Sequence, residues 1–245
     1  MNKNNLTAAT HKVGKIYLLP TVIAEDTIEQ VLPASVKATA NKLNYFLVEN
    51  VRTARRFLSA LGVEQPISSL HFEVLNKRTP EEVLSKLFEP VMQGQDIGIL
   101  SESGCPGVAD PGSIAVNYAH KHNIQVIPLV GPSSFLLALM ASGFNGQSFV
   151  FHGYLPIDKQ ERTKAIRQIE KQAQEQQQTQ MFMETPYRNN QLLEALLRTC
   201  RKSTKLCIAK GVTSADEYIK TMSIQEWKKH KPDLHKIPTV FLVHI

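Results

Sequence analysis

Short apolar runs alternate along the first half of the chain with stretches in which apolar residues recur at helical spacing. Residues 15–19, 45–49, 97–100 and 124–129 are rich in β-branched and large apolar side chains, the signature of strands buried on both faces of a parallel sheet. Between them, residues 52–61 bring Phe57, Leu58 and Leu61 to one helical face. Thr79-Pro-Glu-Glu82 supplies a cap, a proline at the first helical position and acids in the first turn, which predicts a helix to about Met92. Residues 113–121 and 134–140 complete the set. Strand-helix alternation of this kind predicts a doubly wound α/β sheet.

The texture changes after Gly143. Residues 149–156 read as a strand ending in a turn, and 158–178 as a long polar helix with a glutamine-rich, solvated end. Residues 180–184, 206–209, 217–221 and 238–244 then read as strands, with 191–201 a helix between the first two. Short strands with few helices predict a second α/β domain of mixed strand direction. The expected division is a flexible tail at 1–14, an N-terminal α/β domain at 15–145 and a C-terminal α/β domain at 146–245.

Composition changes this picture little. The chain has 245 residues, 42% hydrophobic and 20% charged, enough for one large core or two smaller ones. No apolar run reaches the length of a membrane span, and residues 1–15 are polar without the apolar core of a secretory signal, so a cytoplasmic protein with no membrane partner is expected. Three cysteines, Cys105, Cys200 and Cys207, are too few and too irregular for a disulfide framework or a zinc cage and predict free thiols. No histidine shows metal-ligand spacing, so no metal is expected. The formal charge of +6, with basic concentrations at 52–56, 198–205 and 228–236, is compatible with a polyanionic partner, and charge alone leaves RNA contact open.

Candidate chemistry concentrates between Ser101 and Ser134, where two Gly/Pro-rich turns each follow a predicted strand and open a predicted helix. Loops at the carboxyl ends of parallel strands are where such sheets bind ligands. Gly104 and Gly107 bracket Cys105-Pro106, so the backbone can approach a ligand without Cβ obstruction. Asp110 or Ser113 can accept the first amides of the following helix. Gly131-Pro-Ser-Ser134 repeats the arrangement, with two hydroxyls and helix-start amides. The chain lacks a G-x-G-x-x-G after its first strand and a G-x-x-x-x-G-K-[ST] loop, which disfavours a classical dinucleotide site or a phosphate loop.

Taken in order, residues 98–112, 126–134, Ala141-Ser-Gly143, 149–156 and Met183-Glu-Thr-Pro-Tyr-Arg188 resemble the tetrapyrrole-methylase superfamily of S-adenosylmethionine-dependent methyltransferases. The branch they most resemble is that of the ribosomal small-subunit RNA (cytidine-2′-O)-methyltransferases. The resemblance spans residues 15–245, since 49–56 resembles that branch's acidic-then-basic segment. It implies two α/β domains with the cofactor in the cleft between them, and a homodimer. Matched motif by motif, it assigns cofactor contacts to Ser103, Gly104, Cys105, Pro106 and Val108, then Ser133 and Ser134. From the second domain it adds Glu184, Ile208, Ala209, Pro238 and Thr239. Leu19-Pro-Thr-Val-Ile23 stands where the RNA-modifying branch carries Thr-Pro-Ile-Gly-Asn, and Glu102-Ser-Gly-Cys-Pro106 where it carries Asp-Ala-Gly-Thr-Pro.

The activity so implied is methyl transfer, an in-line displacement that chiefly needs alignment of acceptor, methyl carbon and sulfur. A ribose hydroxyl acceptor would gain from a base. Glu49 and Glu102 are the candidate catalytic residues, Glu184 a further carboxylate that also matches a cofactor position, and Arg52 the candidate for holding a substrate phosphate. Ribosomal RNA is the expected partner. A small acceptor such as a tetrapyrrole, or a non-catalytic RNA-binding role, are the alternatives.

Overall fold

The computed structural model describes residues 13–245; residues 1–12, most of the expected tail, lie outside the described residues. Val13 and Gly14, read from the sequence as tail, are packed. Val13 lies against a hydrophobic core, and the Gly14 amide donates to the Val91 carbonyl at 2.8 Å. The chain divides into two compact units. One runs through Val22 and resumes from Ile28 to Pro132; the other joins Ile23–Thr27 to Ser133–Ile245.

In the first unit the elements are β1 (Lys15–Leu19), α1 (Ile28–Val31), α2 (Ala34–Ala40), β2 (Tyr45–Val48), α3 (Val51–Leu61), β3 (His71–Val74), α4 (Glu81–Leu87), α5 (Glu89–Met92), β4 (Ile97–Leu100), α6 (Gly112–Lys121) and β5 (Gln125–Pro128). The strands form one parallel sheet in the order β3-β2-β4-β1-β5. Because successive strand side chains point to opposite faces, Ile16, Leu47, Ile97 and Ile99 join Phe88 and Tyr118 in one core. Leu19, Phe46, Val48 and Leu100 meet Val36, Leu58 and Leu61 in another.

Asn50 caps α3, its side chain accepting from the Arg52 and Thr53 amides, and Gly62 ends it in the left-handed conformation at φ 70°. The helix predicted over 79–92 is broken into α4 and α5 at Phe88. Pro90 has no N–H for the Lys86 carbonyl four residues back, and its ring crowds that group. Nor does Thr79 cap the helix: Pro80 is the capping residue, and the Thr79 hydroxyl accepts from the Asn76 amide.

The second unit holds α7 (Ser134–Ser142), β6 (Phe149–Tyr154), α8 (Lys159–Gln176), β7 (Thr179–Met183), α9 (Asn189–Thr199), β8 (Lys205–Lys210), β9 (Tyr218–Ser223), α10 (Ile224–Trp227) and β10 (Thr239–His244). Its sheet runs β6-β7-β10-β8-β9, with β6 parallel to β7 and the other pairs antiparallel, the mixed directions expected from sequence. Ile166, Ile169, Leu192, Leu196 and Trp227 from three helices pack on one face with Phe182 and Phe241. On the other face Ala138 and Leu139 of α7 pack against Met181, Cys207 and Leu242. That packing draws the division back to Ser133, ahead of the 145/146 boundary read from the sequence. Trp227 is fully buried, its indole N–H donating to the Leu206 carbonyl at 2.8 Å. The three cysteines are free thiols, and among the described residues no helix is long and apolar enough to cross a membrane.

Candidate active site

All five strands of the first sheet end at one edge, so the loops after β1, β2, β3, β4 and β5 share it. The loop after β4 is held by its own bonds. The Gly104 carbonyl accepts from the Ser101 hydroxyl at 3.0 Å and from the Thr21 amide at 2.9 Å. The Cys105 thiol donates to the Pro132 carbonyl at 3.3 Å, tying in the loop after β5. Gly104 and Gly107 sit at φ 73° and 86°, where a side chain would be strained. Asp110 Oδ1 accepts from the Gly107 and Gly112 amides, both at 2.7 Å, and so serves the start of α6 as the sequence predicts. Burial pushes the Asp110 carboxyl up, against the two amide bonds and the charge of Lys77, and its Oδ2 is buried without a partner. A Cβ at Gly131 would lie 2.1 Å from Pro20 Cβ, so only glycine lets the loops after β1 and β5 approach this closely.

Glu49 follows β2 and Glu102 follows β4, and the two are joined: the Glu102 amide donates to Glu49 Oε1 at 3.2 Å. Burial raises the Glu49 carboxyl above its ordinary value, and the charges of Asp110 and Glu102 add to this while the Glu102 amide and Lys77 oppose it. Glu102 is exposed, with Oε1 accepting from the Thr53 hydroxyl at 3.4 Å. Beside them opens a cavity of about 540 Å³ lined by Glu49, Asn50, Asn76, Lys77, Arg78 and Glu102. Arg52, exposed on the first turn of α3, is not part of its wall. Lys77 and Arg78 were missed by the sequence reading, which did not recognise β3 and so had no strand end on which to place them.

In the second unit Glu184 follows β7 with its side chain fully buried. Its Oε1 accepts from Arg188 Nη2 at 2.6 Å and from the Thr185 amide at 2.7 Å, while Oε2 is buried without a partner. Burial pushes this carboxyl up, but the bonds from Arg188 and Thr185 and the Arg188 charge prevail and hold it below its ordinary value. The register Thr239↔Lys210 and Val240↔Met183 brings Pro238 and Thr239 to the same end of the sheet. At the last residue of α7, the Ser142 carbonyl accepts from Thr221, and Phe144 lies against His244 at the close of β10. The helix start, with Ser133 and Ser134, therefore points toward the Glu184 end. Ser133 caps α7 by position but makes no side-chain cap bond.

Ile208 and Ala209 lie toward the same end of the sheet, Ala209 level with Met183 through Val240. Both are fully buried in the second half of β8, which is paired with β10 on one side and β9 on the other. Their side chains belong to opposite cores and their backbone to the ladders.

Residues 22–228 match the family model of Tetrapyrrole (Corrin/Porphyrin) Methylases. The chain belongs to this family. Among named relatives of this tetrapyrrole methylase, Ribosomal RNA small subunit methyltransferase I of Buchnera aphidicola subsp. Schizaphis graminum (strain Sg) is 26% identical over 236 residues, covering 95% of this chain and 79% of that one. Among solved structures, the methyltransferase CobJ superposes with a TM-score of 0.60 at 18% identity, over 94% of each chain. Uroporphyrin-III C-methyl transferase from Thermus thermophilus, complexed with S-adenosylhomocysteine, gives a TM-score of 0.53 at 15% identity, over 94% of this chain and 97% of that one. The two structures establish a shared fold, and the family establishes a methyltransferase.

Proposed function

We propose that this tetrapyrrole methylase transfers a methyl group from S-adenosylmethionine to the 2′-hydroxyl of a cytidine in small-subunit ribosomal RNA. The observation that carries the acceptor half is Glu49: a carboxylate raised by burial, fixed by the Glu102 amide, on the wall of a polar cavity that also presents two cations. A base tuned upward is better matched to taking a proton near neutral pH than an ordinary surface carboxylate. Glu102 acts on Glu49 through its backbone, and Arg52 lies on the same edge to meet a phosphate.

S-adenosylmethionine supplies an electrophilic methyl on a sulfonium, with an ammonium, ribose hydroxyls and an adenine amine as hydrogen-bond donors. The chain's residues fit such a group. The loop Ser103, Gly104, Cys105 and Pro106, with Val108, is bonded in place before any ligand arrives, so little ordering entropy is lost on binding. The unpartnered Oε2 of Glu184 offers a buried acceptor, and a donor bound there would recover a cost of about 1–3 kcal/mol. Ser133, Ser134, Pro238 and Thr239 are the second unit's further candidates. The protein acts in the cytoplasm as a homodimer on this reading, and sedimentation tests the dimer.

Calorimetry with S-adenosylmethionine and its demethylated product comes first, and binding of neither at micromolar concentration sinks the enzyme reading. Tritium labelling of small-subunit RNA from cells lacking the protein comes second. Label confined to one cytidine 2′-oxygen is the expected result; donor binding with no RNA labelling would point to a small acceptor such as a tetrapyrrole.

A further inference from the structure

We infer that the cavity at the ends of β2, β3 and β4 seats an RNA phosphodiester on Lys77 and Arg78, making this pair the element that places the acceptor strand over Glu49. The inference rests on the proposed RNA substrate and adds residues that neither motif nor resemblance singled out.

The loop carrying the pair is rigid where it needs to be. The Asn76 amide donates to the Thr79 hydroxyl at 3.0 Å, the Arg78 amide to Asn76 Oδ1 at 2.8 Å, and the Thr79 amide to the Asn76 carbonyl at 3.0 Å. Three bonds within four residues fix the root of each cation, while both side chains are exposed and neither enters an ion pair within the described residues. A solvated basic loop would show no relation to a concave wall, yet these two side chains line the same cavity as Glu49. Lys77 is also close enough for its charge to favour the ionised forms of both Glu49 and Asp110.

The ligand class follows from size and charge. About 540 Å³ suits a nucleotide-sized group. Two cations facing two carboxylates, Glu49 and Glu102, match a ligand that brings one anionic group for the cations and hydroxyls for the carboxylates. A ribose flanked by its phosphodiester has both. A polycarboxylate such as uroporphyrin keeps its N–H donors at the macrocycle centre, away from its peripheral carboxylates, which would meet repulsion from Glu49 and Glu102. Arg can take a phosphate through two parallel bonds and Lys as a point charge, so the pair holds one or two successive phosphates.

The test uses the full-length protein and fluorescein-labelled small-subunit RNA, with dissociation constants from anisotropy at 50–200 mM salt. K77A/R78A is expected to weaken binding about tenfold or more and to reduce the salt slope by about 0.7–0.9 for each phosphate left without its cation. Lys42→Ala removes an exposed charge just before β2, at the opposite sheet end, and is expected to change neither quantity. K77R/R78K keeps both charges and is expected to restore the slope. S-adenosylmethionine affinity, measured by calorimetry, stays at the wild-type value in all variants. A double variant with the wild-type slope, or with the K42A slope, overturns the inference. So does one that loses binding of uroporphyrin, a polycarboxylate probe, while keeping RNA. Absence of donor binding in the wild type would instead remove the enzyme reading and leave the RNA measurement standing.

Discussion

Gly131→Ala is the most demanding test of the strand-end architecture. The added Cβ would lie 2.1 Å from Pro20 Cβ and 2.4 Å from Pro20 Cγ, about 1.4 Å short of the ~3.5 Å at which two carbons rest. No rotamer relieves this, because the Pro20 ring closes on its own backbone. One loop must move by an ångström or more. Overpacking of this kind costs about 2 kcal/mol, the middle of the ~1–3 kcal/mol range. At about 2–4 °C per kcal/mol, melting falls by about 4–8 °C in scanning calorimetry. Moving Pro132 also strains the 3.3 Å thiol bond to Cys105 in the proposed cofactor loop. Moving that loop removes part of its preorganised fit to the donor, so S-adenosylmethionine affinity should drop by more than about twofold in titration calorimetry. Gly146→Ala, whose new Cβ would meet nothing within 4 Å, is the control. A G131A protein that melts within about 1 °C of wild type and binds the donor within about twofold would refute the argument from close approach.

Glu49→Gln should lower kcat by about 10²–10⁴ with donor affinity unchanged. In wild-type pH–rate profiles the acid limb should lie above the ordinary carboxylate value of 4.5, since burial raises this base and protonation disables it. Asp110 titrates upward too, so its contribution to stability is complete below its ordinary value of 3.8 and is lost as pH rises through the raised one. D110N should remove that dependence in denaturation series, and D110A should cost about 1–3 kcal/mol by leaving two amides unmet. Glu184 has the opposite sign: its stabilisation is present above 4.5 and is lost as pH falls through its lowered value. Fluorescence of Trp227, the single tryptophan, should report this acid loss in the wild type and its absence in E184Q.

β1 and β4 were legible to the residue because strands buried in a parallel sheet read as unbroken apolar runs. β3 was not, because His71-Phe-Glu-Val74 is an edge strand with exposed ends and a charged residue, indistinguishable from a loop by pattern. Missing it hid the Asn76–Arg78 loop as well. The α7 helix was legible as a helix, but its apolar residues are spread around it, so nothing local says which sheet it covers. Motif order located Glu184 and Thr239 at a sheet end. The same matching named Ile208 and Ala209, whose burial within β8 it could not foresee, since a short motif carries position along the chain and no information about burial.

The membership of Ile23–Thr27 in the second unit sets a schedule for synthesis. These residues leave the ribosome about a hundred residues ahead of Ser133, which at ~5–20 residues per second is a wait of about 5–20 s before their partners exist. The first sheet gains its last strand, β5, only at the end of that interval, so the first unit becomes complete while the borrowed segment still has no partner. Expressing the halves separately by cutting at Pro132 would make the wait permanent. The C-terminal piece would lack a segment of its own unit, and the N-terminal piece would carry one with nowhere to dock.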